Sequence, residues 1–179
     1  MNKKSGFTLA EVLVTLMIIG VIAAMTIPSL MQSTAQQEFR AAYKKAVSMI
    51  SQAVTLNYAL DGIDASDKTG TAFFDIMTQR LNVLSSNASS QEMYTADGMW
   101  FKAGTTFGGA VGSAAACNSN DGNQTTNICA NVQVDVNGMK GPNKGTTATN
   151  RVFDIFTIAI YPQKALPANQ TMGLILYEK

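Results

Sequence analysis

The sequence predicts an α+β protein in which one long amino-terminal α-helix packs against an antiparallel β-sheet. Residues 7–31 form an apolar run, and residues 32–62 repeat apolar side chains at helical spacing. Residues 63–179 instead alternate short strand-like runs with turn residues. We therefore expect a polar leader at residues 1–6, a membrane-spanning helix, its amphipathic continuation and a globular α+β head.

The apolar run is long enough to cross a membrane. It holds 25 residues, of which 18 are apolar, and Glu11 carries its only charge. A helix of that length spans roughly 38 Å, against about 30 Å for the hydrocarbon core of a bilayer. Lys3 and Lys4 precede the run, and no cations cluster directly after it. By the positive-inside rule we expect the amino terminus to stay in the cytoplasm and the remainder of the chain to be exported. On spacing alone, a plain single-pass anchor is an equally good interpretation.

The composition excludes several kinds of catalytic and ligand site. The 179 residues include no histidine, which removes serine–histidine and cysteine–histidine catalysis as well as histidine-ligated zinc. Lys and Arg total 13 and Asp and Glu total 12, a net charge of +1, which argues against a nucleic-acid binder that depends on a strong basic field. The sequence shows no paired-carboxylate, nucleophile or phosphate-loop motif, and we expect a protein that is not an enzyme.

The part of the helix after the apolar run has one apolar face. Its large apolar residues recur at steps of four, four, three and four: Phe39, Tyr43, Val47, Ile50 and Val54. That spacing is typical of a helical face that packs on a core. Asp61-Gly62 predicts the end of the helix, because glycine suits a left-handed carboxy-terminal cap.

The head is predicted to contain one further helix and several strands. Apolar spacing indicates a second helix over residues 71–84, followed by a polar loop at residues 85–91. Asp97-Gly98 lies between two apolar runs and predicts a β-hairpin. Residues 104–127 are rich in small and polar side chains and predict a long surface loop. Further strand-like runs lie at residues 128–136, 151–161 and 172–177.

Cys117 and Cys129 are the only two cysteines, and both lie in the part of the chain that we expect to be exported. An oxidising compartment favours a disulfide between them, and closing that loop would stabilise the fold by about 2–3 kcal/mol. Two free thiols and bridges between molecules are the alternatives that the sequence leaves open. The spacing does not match a CxxC redox site.

The amino-terminal residues resemble those of a known family. The segment Lys3-Lys4-Ser5-Gly6-Phe7-Thr8-Leu9-Ala10-Glu11, followed by the apolar run, is similar to the amino terminus of type IV prepilins and type II secretion pseudopilins. In that family a membrane-embedded prepilin peptidase cuts after the glycine and methylates the new terminal phenylalanine. The resemblance implies cleavage between Gly6 and Phe7 and N-methylation of Phe7.

The same resemblance implies how subunits assemble. Glu11 becomes the fifth residue of the mature chain, where the family has its glutamate, and Gly20 and Pro28 also match family positions. Cleavage creates a cationic amine at a helix amino terminus, where the helix dipole also favours the Glu11 carboxylate. In a filament, Glu11 of an incoming subunit would pair with the terminal amine of a neighbour, so that both charges are compensated in apolar surroundings.

The resemblance further implies the pilin fold and a structural function. The subunit would stand in the inner (cytoplasmic) membrane as a single-pass protein, and an assembly platform with a motor ATPase would polymerise it with identical or related pilin subunits. The filament would lie in the periplasm or on the cell surface. The alternative is a minor pilin that binds DNA, a surface or a secreted protein. The sequence leaves open whether the filament is a pilus or a pseudopilus.

A second resemblance concerns residues 134–143 and the later Asp154. They are similar to the carboxy-terminal part of pseudopilin-like sequences, some of which bind calcium through Asp and backbone oxygens. The resemblance implies a calcium ion at Asp135, Asn137 and Asp154, of modest affinity because two carboxylates are few for an ion with about six to eight oxygen ligands. The alternative needs no ion: Asn137-Gly138 forms a tight turn, and Asp135 accepts hydrogen bonds from nearby backbone N–H groups.

Overall fold

A computed structural model of the chain describes residues 6–63, 65, 71–103, 128–145 and 152–177. Helix α1 runs from Leu9 to Asp61 and has 53 residues, about 80 Å at 1.5 Å per residue. Pro28 lies inside α1, so the helix continues through the proline instead of stopping and resuming there. The predicted end is confirmed, because Gly62 caps the helix in the left-handed conformation at φ 68°.

In the described part of the head, six short strands form a sheet. They are β1 (Val83–Asn87), β2 (Glu92–Thr95), β3 (Trp100–Ala103), β4 (Ala130–Asp135), β5 (Ile155–Ile160) and β6 (Ala165–Pro167). The strands lie in the order β1-β2-β3-β4-β5-β6, and every neighbouring pair is antiparallel. The predicted hairpin at Asp97-Gly98 joins β2 to β3. The α+β architecture with a long amino-terminal helix on an antiparallel sheet is therefore confirmed.

The core of the head lies between the second half of α1 and one face of the sheet. The predicted apolar face of α1 supplies it, since Tyr43, Val47, Ile50 and Val54 are buried and Phe39 is partly buried. Tyr43 stacks on Phe156 of β5 with ring centroids 4.4 Å apart. Its hydroxyl donates a hydrogen bond to the backbone carbonyl of Thr157 at 3.2 Å. Burial raises the pKa of this hydroxyl, so it stays a neutral donor.

Strand β5 runs in the same direction as α1. The N–H of Phe153, just before β5, donates to the side chain of Gln36, whereas the carbonyl of Gln163, after β5, accepts a hydrogen bond from Thr55. The start of β5 therefore lies at the end of the head nearest to the first part of α1, residues 9–31, which we call the apolar half of α1. We call this end of the head its base.

Two predicted elements have other structures. The predicted helix over residues 71–84 ends at Arg80 as α2 (Thr71–Arg80), and Leu84 lies in β1 with 74% of its surface exposed. Part of the predicted polar loop, Ser85–Asn87, also belongs to β1. The reason is tertiary, because β1 forms a ladder with β2 and such pairing overrides local spacing.

The predicted strand at residues 172–177 is helix α3 (Gln170–Tyr177). A short apolar run does not distinguish helix from strand by periodicity, but Met and Leu favour helices. Asn169 caps the amino terminus of α3, since its Oδ1 accepts a hydrogen bond from the N–H of Met172 at 2.9 Å. Strand β6 was not predicted, and the predicted loop at residues 104–127 lies outside the described residues.

Candidate functional site

The apolar half of α1 carries no cover from the head. Its first buried side chain is Gln36, and the large aliphatic residues from Leu9 to Met31 are exposed. An 18-residue window here has a mean hydropathy of 2.3, and none of it is buried. By length and composition the helix can cross a membrane. An exposed apolar surface of this extent requires lipid or other protein chains to cover it.

Thr8 and Glu11 cap the start of this exposed helix. The Glu11 carboxylate accepts hydrogen bonds from the backbone N–H of Thr8 at 2.7 Å and from the Thr8 hydroxyl at 2.8 Å. The Thr8 hydroxyl in turn accepts one from the backbone N–H of Glu11 at 3.3 Å. This reciprocal arrangement is a capping box. It holds the carboxylate beside Phe7, the residue that cleavage after Gly6 would make the amino terminus.

Gly20 and Pro28 both lie within the exposed half of α1. A Cβ built on Gly20 would meet no atom within 4 Å, so nothing inside the described part of the chain requires a glycine there. Any steric need for a small residue at this position must come from a neighbouring molecule.

Two buried aspartates lie at the base of the head. Asp135 ends β4 and is 1% exposed, and Asp154 precedes β5 and is 0% exposed. Asp154 accepts hydrogen bonds from the backbone N–H groups of Asn143 at 2.9 Å and Lys144 at 2.8 Å. Asp135 accepts one from the backbone N–H of Asn137 at 3.2 Å. The two aspartates lie close together because β4 pairs with β5 at Asp135 and Ile155, and because the N–H of Val136 donates to the carbonyl of Asp154 at 3.1 Å.

Asn137 and Gly138 form the turn after β4. Gly138 is left-handed at φ 59°, and a Cβ there would collide with the carbonyl oxygen of Gly98, so this turn requires glycine. Asn137 donates from Nδ2 to the carbonyl of Gly141 at 2.7 Å. Its Oδ1 is buried and has no hydrogen-bond partner within the described ranges. Asn137 lies two residues after Asp135 in this turn, and an orphaned amide oxygen is the kind of donor that calcium prefers.

The electrostatics of the turn also favour a cation. Burial raises the pKa of Asp135 above its ordinary value of 3.8, and the negative charge of Asp154 raises the same pKa further. The backbone N–H groups of Asn137 and Gly138 partly offset both effects. Among the residues that the structure describes, no group of three or more Asp, Glu, Cys or His side chains forms a metal cluster. Backbone oxygens would therefore have to complete any coordination shell.

Cys129 is buried and disulfide-bonded. It lies just before β4, and its N–H donates to the carbonyl of Ile160 at 2.8 Å. Cys117 lies outside the described residues, so the pairing of Cys117 with Cys129 stays a prediction.

We expect unreduced peptide mapping to recover one peptide pair linked through Cys117 and Cys129, since the sequence has no third cysteine. Cys129→Ser should lower the free energy of unfolding by about 2–3 kcal/mol, because the unfolded chain regains the freedom of the open loop. A reduced and alkylated sample is the control. Alkylation of both thiols without reductant would contradict the pairing.

Comparison with known families identifies the amino-terminal segment. The family model described as the prokaryotic N-terminal methylation motif matches residues 1–27. Residues 1–27 carry that methylation motif. The motif is the signature of type IV pilins and pseudopilins, and the resemblance drawn from the sequence is confirmed in this respect. Comparison with the curated proteins and comparison with the solved structures gave no match.

The sequence analysis assigned no role to two residues of the site. Thr8 lies inside the methylation motif, and the pattern of a threonine followed three residues later by glutamate is the capping-box signature that could have found it. Gln36 carries no comparable signal. Its Oε1 accepts a hydrogen bond from the N–H of Phe153 at 3.1 Å, across a separation of 117 residues in the sequence.

Proposed function

We propose that this chain is a non-enzymatic filament subunit of the type IV pilin or pseudopilin kind. One observation carries the proposal: the methylation motif at residues 1–27 overlaps the exposed apolar part of a long helix that begins at Leu9. Prepilin peptidase would remove residues 1–6 and methylate Phe7. The apolar half of α1 would hold the precursor in the cytoplasmic membrane, and the same half would pack against other subunits in a filament.

Close packing and polar contacts between subunits, more than the hydrophobic effect, would determine whether a subunit leaves the membrane and joins a filament. Moving an apolar helix from lipid to a protein core changes its hydrophobic free energy little, because lipid tails are as apolar as leucine. Close packing then matters, and Gly20 offers room for a neighbouring helix because a Cβ there would meet nothing in its own chain. The proposal therefore assigns Gly20 to a helix–helix contact.

Glu11 would set the register of each incoming subunit. In the isolated chain, hydrogen bonds from Thr8 satisfy its carboxylate. Cleavage before Phe7 adds a cationic amine at the same helix end. Pairing Glu11 with the amine of a neighbouring subunit would compensate two charges that are each costly in apolar surroundings. The assembly platform and its motor ATPase would supply the work of extraction from the membrane.

The first test of the proposal is the mature mass. We expect protein from its native host to begin at Phe7 and to weigh about 14 Da more than the unmodified chain, the mass of one methyl group. Gly6→Ile should leave the precursor intact, because a branched side chain would occupy the space of the glycine at the cut. A mature chain that starts at any other residue would overturn the processing step.

The DNA-binding alternative gains no support from the head. Lys45 pairs with Asp97 at 3.1 Å, and Lys102 pairs with Glu92 at 2.7 Å. Arg80 likewise pairs with Asp61. Among the residues that the structure describes, these contacts compensate three of the positive charges that could bind a phosphate backbone. The structural role is the better supported of the two.

We also propose that the turn after β4 binds one calcium ion. Asp135 and Asp154 would supply carboxylate oxygens, and the orphaned Oδ1 of Asn137 would supply a third ligand atom. Bound calcium would supply positive charge that offsets the repulsion between the two aspartates. The chain's own contribution is to hold Asp135 and Asn137 in the turn after β4 close to Asp154, which precedes β5. Gly138 allows this turn to pass close to Gly98.

A further inference from the structure

A polar cleft lies where the apolar half of α1 meets the base of the head. It has a volume of about 360 Å³, opens between α1 and Val152, and is lined by Ser29, Gln32, Ser33, Gln36, Gln37 and Arg40. We call it the interface cleft. From Leu9 to Met31 the helix rises roughly 33 Å, which matches a hydrocarbon core of about 30 Å. A chain anchored by that segment therefore places the interface cleft among the lipid headgroups of the outer leaflet.

Gln36 lines the interface cleft and carries a buried donor that has no partner in the described part of the chain. The residue is only 9% exposed, and its Oε1 is occupied by the N–H of Phe153. Its Nε2 is buried without a hydrogen-bond partner in the part of the chain that the structure describes. A buried donor without an acceptor is unfavourable. An oxygen-rich group in the cleft would satisfy it.

The other groups that line the interface cleft favour a negatively charged ligand. The Arg40 guanidinium lines the cleft beside amide and hydroxyl groups, and the described lining residues include no Asp or Glu. Guanidinium and amide N–H groups together match the oxygens of a phosphate. A choline or ethanolamine headgroup would bring a cation for which these lining residues offer no carboxylate. The cleft therefore fits an anionic headgroup better than a zwitterionic one.

We propose that the interface cleft binds the phosphate of an anionic phospholipid while the subunit stands in the membrane as a precursor. The inference rests on the proposed membrane-anchored state. The phosphate oxygens accept hydrogen bonds from Gln36 Nε2 and from the Arg40 guanidinium, and the acyl chains lie along the apolar half of α1.

Native mass spectrometry of the full chain in detergent micelles tests this assignment. We expect phosphatidylglycerol to bind at a concentration about tenfold lower than phosphatidylcholine, because both lipids offer a phosphate but only phosphatidylcholine brings a cation close to Arg40. Gln36→Glu keeps the oxygen that accepts from Phe153 but replaces the free donor with a carboxylate oxygen. This variant and Arg40→Gln should each lose the preference. Lys44→Gln, which removes a cation one helical turn further along and outside the cleft, should retain it.

Three outcomes would overturn the lipid site. They are equal binding of the two lipids by the parent chain, an unchanged preference in both cleft variants, and displacement of the lipid by inorganic phosphate at equal concentration. The last outcome would show that the cleft binds a free inorganic anion instead of a lipid headgroup. Thermal melts of the variants show whether the head stays folded. Failure of the proposed function is distinguishable, because it appears as a chain that is not cut at Phe7 or not held in membranes, whatever lipid it prefers.

Discussion

Cells that carry Glu11→Leu should make no filaments while they accumulate a processed, folded subunit in the membrane. Leucine removes a carboxylate from the first turn of the apolar segment, which eases insertion by at most about 2.5–3.5 kcal/mol, the cost of a charge at the centre of a membrane helix. The same change leaves the terminal amine of a neighbouring subunit buried without a partner, at a cost of about 3–5 kcal/mol. The two effects oppose each other, so membrane level and filament yield should move in opposite directions. Immunoblots of membranes and of sheared filaments measure both.

Three further variants separate charge from shape in this experiment. Glu11→Gln keeps the size of the side chain and its ability to accept the Thr8 hydrogen bonds, and it should fail almost as completely as leucine. Thr8→Val removes the capping hydroxyl and leaves the carboxylate, so it should cost only about 1 kcal/mol. Glu38→Gln removes a carboxylate from an exposed position of the same helix and should assemble normally. Normal filament numbers with Glu11→Leu would refute the charge pair.

The elements that the sequence predicts well are those with local signals. The apolar face of α1 depends on spacing within one helix, and its end depends on Gly62 alone. The hairpin at Asp97-Gly98 is equally local. Strand β1 was missed because its structure depends on the ladder that it forms with β2. Helix α3 was missed because a short apolar run does not distinguish helix from strand by periodicity.

The residues of the candidate site likewise divide into those with a local sequence signal and those without one. The cleavage residues and Glu11 lie within one continuous motif, which a sequence displays completely. Asp135 and Asp154 are far apart along the chain, yet an antiparallel β4–β5 pair brings their strand ends together, and the register pairs Asp135 with Ile155. The interface cleft has no sequence pattern, because Gln36 and Val152 come together only through the packing of α1 on the head.

Replacing the two buried aspartates should change stability in opposite directions. Asp154→Ala leaves the N–H groups of Asn143 and Lys144 without their acceptor and should cost about 3 kcal/mol. Asp135→Asn keeps an oxygen for the N–H of Asn137 and removes a charge that burial and Asp154 both disfavour. The asparagine variant should therefore melt at a higher temperature than the parent at neutral pH. Thermal melts of the full chain in detergent with a chelator measure both effects.

The pH dependence of the Asp135→Asn gain identifies its cause. A raised pKa means that the folded head prefers protonated Asp135, so ionisation costs stability as the pH rises from the ordinary value of 3.8 to the raised one. The advantage of asparagine should be constant at neutral pH and should disappear below 3.8. Lower stability of Asp135→Asn across the whole pH range would show that the carboxylate is favourable in the fold.

Calcium should reverse the ranking of the parent and Asp135→Asn. An ion bound to the folded head raises the melting temperature in proportion to the logarithm of its concentration once the site is saturated, and millimolar calcium should do so for the parent. The asparagine variant lacks one carboxylate and should respond weakly, so the parent becomes the more stable of the two. Magnesium is the control, because it demands near-octahedral geometry at shorter distances. If the melting temperature of the parent is the same with calcium and with chelator, the calcium site is refuted. Asp135 then serves only as a hydrogen-bond acceptor in the turn.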